Sequence, residues 1–126
     1  MKKLIIDTNF LLIPFQFSFD IFSEFERIKT EPIQIFVLDK SIDELNKIVR
    51  EQKGKDKSAA KMALQLVETR ADILMTEGED YVDDLIVSLA DKDTIVATQD
   101  KELKKRVQKK GAKLIIMKQK KYLSFC

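Results

Sequence analysis

The chain reads as a three-layer α/β/α sandwich around a mainly parallel sheet. Short apolar runs (Leu4–Ile6, Ile35–Leu38, Ile95–Ala97 and Leu114–Met117) alternate with longer stretches whose apolar residues recur at helical spacing. The runs are too uniformly apolar for strands with one wet face, so both faces of the sheet should be covered by helices. Each of the runs ending at Ile6 and Ala97 is followed within three residues by a threonine and an aspartate, the residue types that end strands and cap helices.

Composition narrows the chemistry. A chain of 126 residues is one domain's worth, with enough apolar residues for a core and 35% charged residues for a soluble surface. No apolar run approaches a membrane span and no signal-peptide pattern is present, so a cytoplasmic protein without membrane partners is expected. The single cysteine, Cys126, excludes a disulfide framework and fits a reducing compartment. Histidine is absent, which removes Ser/His and Cys/His nucleophiles and His-ligated zinc. Acid–base or metal chemistry must therefore rest on carboxylates. The net charge of +2 hides an asymmetry: residues 101–121 hold ten Lys/Arg and one acid, against 13 basic and 20 acidic residues elsewhere. A basic segment on an acidic body suggests a polyanionic partner.

Taken in order, Leu4–Ile6 forms the first strand and Asp7-Thr8-Asn9 its exit. Pro14 ends or kinks the segment begun at Asn9. Ile21, Phe22, Phe25 and Ile28 place an amphipathic helix over about 19–29, and Thr30-Glu31-Pro32 a turn. Gln34–Leu38 is the second strand. Asp39-Lys40-Ser41 opens a helix with Ile42, Leu45, Ile48 and Val49 on its apolar face. A loop around Gly54 leads to a helix over 57–70 that buries Ala60, Met62, Ala63, Leu66 and Val67. Ile73–Met75 is a short strand, and an acidic loop with Gly78 precedes a helix over 81–92. Thr94–Thr98 is a strand, 100–110 a basic helix closed by Gly111, Leu114–Met117 the last strand, and Lys118–Cys126 a tail.

Ligands of an open parallel sheet gather beyond the carboxyl ends of its strands, which is where Asp7 and Asp100 stand. Either could equally be a helix cap. Two helices supply further acids. On the helix through Leu45, Glu44 borders the apolar face and Asp43 points away from it. On the helix whose buried face runs through Val82, Leu85, Ile86, Leu89 and Ala90, Asp83 lies on the border and Asp84 points outward to solvent. Asp7, Glu44, Asp83 and Asp100 could thus meet at one end of the sheet. Such a group needs a cation among its charges, and oxygen ligands without histidine select Mg²⁺ or Mn²⁺. A pair of these ions roughly 3.5–4 Å apart activates water and clamps a phosphoryl displacement. Thr8, Asn9 and Thr98 would serve as accessory hydrogen-bonding groups.

The segments Ile6-Asp7-Thr8-Asn9, Glu44-Leu45, Asp83-Asp84-Leu85-Ile86 and Val96-Ala97-Thr98-Gln99-Asp100 resemble the four acidic motifs of PIN domains, in the same order and over nearly the whole chain. The resemblance implies a metal-dependent ribonuclease acting on single-stranded RNA, with Asp7, Glu44, Asp83 and Asp100 as the metal-site acids. Asp39–Ile48, Ala97–Arg106 and Lys118–Leu123 look most like the PIN domains that serve small-subunit ribosomal RNA maturation, although the zinc ribbon of some of those relatives is missing. The VapC toxins of toxin–antitoxin systems share the same acids and length. The expected partners are therefore RNA, held by Lys101, Lys104, Lys105 and Lys109, and either an antitoxin or a ribosome-assembly factor; a homodimer is compatible with both. Two other function classes stand beside this one: a PIN-fold RNA-binding or assembly factor with little cleavage, and a nucleotide-binding α/β domain. The second is weakened by having only three glycines, at 54, 78 and 111, and no glycine-rich phosphate loop.

Overall fold

The computed structural model describes all residues, 1–126. The first strand, β1 (Lys2–Ile6), buries Leu4, Ile5 and Ile6. Asp7 then caps a 3₁₀ turn over Thr8–Leu12, which runs into α1 (Ile13–Phe17). Pro14 lies in the first turn of α1, where its missing N–H costs no helical hydrogen bond; it opens a helix here and does not end one. The chain continues through α2 (Ile21–Ile28), β2 (Ile33–Leu38), α3 (Asp39–Glu51), α4 (Lys55–Arg70), β3 (Asp72–Leu74), α5 (Val82–Leu89), β4 (Thr94–Ala97), α6 (Lys101–Lys109), β5 (Lys113–Lys118) and β6 (Tyr122–Phe125). No helix is long and apolar enough to cross a membrane.

The six strands form one sheet in the order β3-β2-β1-β4-β5-β6. All neighbours are parallel except β5 and β6. Side-chain alternation along the central strands divides the interior in two. Leu4, Ile6, Ile95 and Ala97 face α1–α4 and join a core containing Phe10, Phe25 and Leu45. Ile5 and Val96 point the other way, to Val82, Leu85 and Ile86 of α5 and Leu103 and Val107 of α6. The expected three-layer sandwich is the structure found.

Three local expectations are corrected. The segment 118–126 is not a tail: β6 pairs antiparallel with β5 from Lys118↔Tyr122 to Ile115↔Phe125. The reversal uses left-handed backbone at Gln119 (φ 53°) and Lys120 (φ 57°), closed by the Lys121 N–H donating to the Lys118 carbonyl at 3.0 Å. Such turns are ordinarily announced by Asn or Gly, neither of which is present there. The helix expected over 81–92 stops at Leu89. The Asp91 carboxylate accepts hydrogen bonds from the Asp93 N–H (2.8 Å) and the Thr94 hydroxyl (3.0 Å), a side-chain turn that competes with a further helical turn. Two residues expected inside are exposed for different reasons: Met62 lies across α4 from Ala60, Ala63 and Val67, while Leu89 shares the face of Val82, Leu85 and Ile86 but is the last residue of α5, where the helix ends. Gly111, just past α6, adopts φ +87°, as a helix-closing glycine should.

Candidate active site

The strand order reverses direction between β1 and β4: β2 and β3 continue to one side, β5 and β6 to the other. At such a switch point the two flanking loops part and leave a crevice beyond the carboxyl ends of the strands. A cleft of about 670 Å³ opens there. Its floor comes from the exit of β1 (Asp7, Thr8, Asn9), one flank from α3 (Lys40, Glu44, Lys47, Ile48) and the other from the start of α5 (Asp80 to Asp84), with Asp100 from the loop after β4. The flanks belong to opposite layers of the sandwich, since α3 packs on the first core and α5 on the second.

Asp7 is fixed by its neighbours. Its Oδ1 accepts the Thr8 N–H (2.9 Å) and its Oδ2 accepts the Thr98 hydroxyl (2.9 Å). Burial raises its pKa above the ordinary carboxylate value; the hydrogen bonds from Thr98 and Thr8 oppose the rise, while the charges of Glu44 and Asp100 add to it. Thr98, fully buried, also accepts the Asp100 N–H at 3.0 Å, so a single hydroxyl ties the two strand-exit acids together. The Asp100 Oδ1 accepts the Leu103 N–H (2.9 Å) and caps α6. The cap reading of Asp7 and Asp100 is therefore correct, and it coexists with their place in the cleft.

Glu44 is held in the same manner. The Thr8 hydroxyl lies 2.7 Å from both Glu44 Oε1 and Ser41 Oγ. A carboxylate only accepts, so the Thr8 proton goes to Glu44 and Ser41, fully buried, donates to Thr8. On α5, Asp83 accepts the Asp84 N–H (3.0 Å), and Arg106 of α6 reaches across, 2.8 Å from Asp84 and 3.9 Å from Asp83.

The cleft thus gathers all four acids expected from the sequence together with Asn9, while Thr8 lines its floor and Thr98 lies beneath it. It also contains groups that sequence reasoning passed over. Asp84 does not face solvent alone: it lines the cleft and pairs with Arg106. A helical wheel describes which side meets the core, not which side chain a neighbouring helix sends over. Lys40 and Lys47 are the cations of the lining, and none of Lys101, Lys104, Lys105 and Lys109 is part of it. The signal for Lys40 and Lys47 was available, because they stand four residues before and three after Glu44 and so share its helix face. Asp80, Tyr81 and Ser41 carried no comparable signal.

Six carboxylates against two ammonium groups leave four negative charges in excess, the charge of two divalent cations. The donor set is entirely oxygen, which suits Mg²⁺ or Mn²⁺. No three of the carboxylates stand close enough together to chelate one ion as placed. Five of the six, all but Asp80, are drawn to local donors (Thr8, Thr98, the Asp84 and Leu103 N–H groups, or Arg106), and like charges keep apart. The fit to a metal is one of charge and donor chemistry.

The chain is similar to known proteins in sequence and in fold. Residues 4–120 match the family model described as PIN like domain. The chain is 32% identical over 126 residues to Ribonuclease VapC4 of Methanocaldococcus jannaschii, spanning 97% of this chain and 95% of that protein. Its fold is similar to that of the PIN domain endonuclease Utp24, with a TM-score of 0.81 at 26% identity over 98% of this chain and 90% of the other. With four motif acids lining one cleft at the sheet's switch point and a family match from Leu4 to Lys120, the chain belongs to the PIN-like domain family.

Proposed function

We propose that the chain is a metal-dependent endoribonuclease acting on single-stranded RNA. The observation that carries this reading is the excess of carboxylates from four separate elements in one cleft, in a chain similar to one protein named a ribonuclease and another named an endonuclease. Asp7, Glu44, Asp83 and Asp100 would hold Mg²⁺ or Mn²⁺. The ion, when bound, lowers the pKa of water towards neutrality and offsets phosphate charge. The rest falls to the chain's own residues. Thr98 and the Thr8 N–H fix both oxygens of Asp7; Thr8, oriented by Ser41, fixes Glu44; Asn9, next to them in the lining, offers an amide to a phosphate oxygen or to bound water. With no histidine in the chain, protons leave through carboxylates and solvent.

Two substrates fit that chemistry. A ribosomal RNA precursor, with an assembly factor as partner, is the reading of the segments Asp39–Ile48, Ala97–Arg106 and Lys118–Leu123. Cellular RNA, under the control of an antitoxin, is supported by 32% identity to Ribonuclease VapC4 over nearly the full length of both chains. Cleavage of a labelled circular single-stranded RNA tests the shared chemistry. The wild-type chain should linearise it in Mg²⁺ or Mn²⁺ and not in EDTA, and Asp7→Asn should abolish cleavage while remaining folded. Undiminished cleavage by Asp7→Asn would overturn the assignment.

A further inference from the structure

The two flanks of the cleft differ in a way that the motif acids do not explain. The α3 flank carries Lys40 and Lys47 against the single acid Glu44. The α5 flank carries Asp80, Asp83, Asp84 and the ring of Tyr81, with no cation in the lining. Tyr81 is 80% exposed, more than any other large hydrophobic side chain except Met1. Its backbone is nevertheless fixed: it is the N-cap residue of α5, its carbonyl accepts the Leu85 N–H at 3.0 Å, and Val82 beside it is buried. The ring has no aromatic, cation–π or hydrogen-bonding partner. Opposite it, Lys47 is exposed and has no ion-pair partner, whereas Lys40 is tethered to Asp39 at 3.3 Å.

We propose that this cleft orients its strand: Tyr81 stacks on a base, and Lys47, assisted by Lys40, holds the backbone phosphates on the opposite flank. The inference rests on the ribonuclease reading. A nucleotide chain has an anionic side and an aromatic side, and so does the cleft. Beyond the metal-site acids, phosphates are repelled by Asp80 and Asp84 beside Tyr81 and attracted to the α3 lysines, which turns the bases towards the ring. Stacking on an aromatic side chain is indifferent to sequence, because every base has a π-face. It requires an unpaired base, so the same geometry disfavours duplexes.

The experiment uses the full chain carrying Asp7→Asn, so that RNA survives, with fluorescein-labelled ten-nucleotide oligo(U) and oligo(A) in Mg²⁺. The chain has no tryptophan and two tyrosines, so quenching of tyrosine emission by bound RNA reports stacking directly. Tyr81→Ala and Tyr81→Leu should each weaken binding about 10-fold or more, and Tyr81→Phe should restore it. The emission quenched by RNA should vanish in Tyr81→Phe, leaving only Tyr122. Lys47→Ala should flatten the log–log salt dependence by ~0.7 and leave the quenching in place. As Tyr81 is exposed, none of its variants should alter the melting temperature. If the wild-type chain cleaves RNA and Tyr81→Ala changes neither affinity nor quenching, the inference falls and the ribonuclease reading stands. If the wild-type chain fails to cleave but binding still depends on Tyr81, the ribonuclease reading falls and the strand-binding surface remains. Absence of RNA binding overturns both.

Discussion

At the scale of single residues, the adjacent aspartates of α5 show what a sequence can and cannot reveal. The apolar pattern correctly places Val82, Leu85 and Ile86 inward, and with them the side of α5 that borders the cleft. It cannot show that Arg106, more than twenty residues later, crosses from α6 to engage the pair. The guanidinium is 2.8 Å from Asp84 and 3.9 Å from Asp83, with both carboxylates about half exposed. An ion pair that wet contributes on the order of 0–1 kcal/mol, so Arg106 serves to commit Asp84 to α6 more than to stabilise the fold. Asp83 is then the freer of the two carboxylates, and on the proposed reading the one that would hold a metal. Isothermal titration with Mn²⁺ should show a larger loss of affinity for Asp83→Asn than for Asp84→Asn, and Glu44→Gln should exceed Asp43→Asn in the same assay. The opposite order at positions 83 and 84 would reverse the roles given to the two acids. Thr98→Val, which removes the hydroxyl shared by Asp7 and Asp100, should cost roughly 10–100-fold in metal affinity or activity, as loss of a ligand-orienting group does.

At the scale of elements, most of the fold was legible because its signals are local: an apolar run, a helical period, a cap. Both strand exits and the second helix were found in this way. The strand β6 was missed because what makes it a strand is remote. Leu123 is fully buried in the core on the α2 side of the sheet, and its main chain is held by a pair from α2. The Leu123 N–H donates to Glu24 Oε1 (2.9 Å), and its carbonyl accepts from Arg27 Nη2 (3.0 Å). Glu24 and Arg27 are themselves joined at 2.8 Å. This clasp occupies the outer edge of β6, which would otherwise be an open template for a further strand. The hydrogen bonds from Arg27 hold the Glu24 carboxyl below its usual pKa; burial opposes them, and the Leu123 N–H adds to the lowering. A depressed folded-state pKa stabilises the protein above the unfolded value, and that contribution is lost as pH falls through the folded one. Glu24→Gln should therefore cost about 1–2 kcal/mol in urea unfolding at pH 7. The gap to the wild type should be flat above the ordinary glutamate value of 4.5 and close below it. A gap that widens with acid would show that Glu24 does not act through its charge.

At the scale of the whole molecule, the excess of positive charge in residues 101–121 lies outside the cleft, which is itself acidic. Lys101, Lys105 and Lys109 recur every four residues along α6 and are all exposed, so they form one stripe on its outer face. The helix packs beside α5 in the same layer, joined to it through Leu103, Val107 and the Arg106 pair. A strand leaving the cleft past α5 would meet this stripe next. On the proposed reading the two cationic groups would divide the work: Lys40 and Lys47 at the few nucleotides beside the acids, and α6 at those beyond. Length separates them. A short oligonucleotide confined to the cleft should bind Lys105→Ala/Lys109→Ala as it binds the wild type. A strand of about 20 nucleotides should bind the double variant more weakly, with a log–log salt slope flatter by ~0.7 for each lysine removed. Base preference should not change, because phosphate contacts carry no sequence information. Equal salt slopes for the wild type and the double variant on the long strand would reduce the stripe to an ordinary solvated helix face, and leave the cleft as the whole of the binding surface.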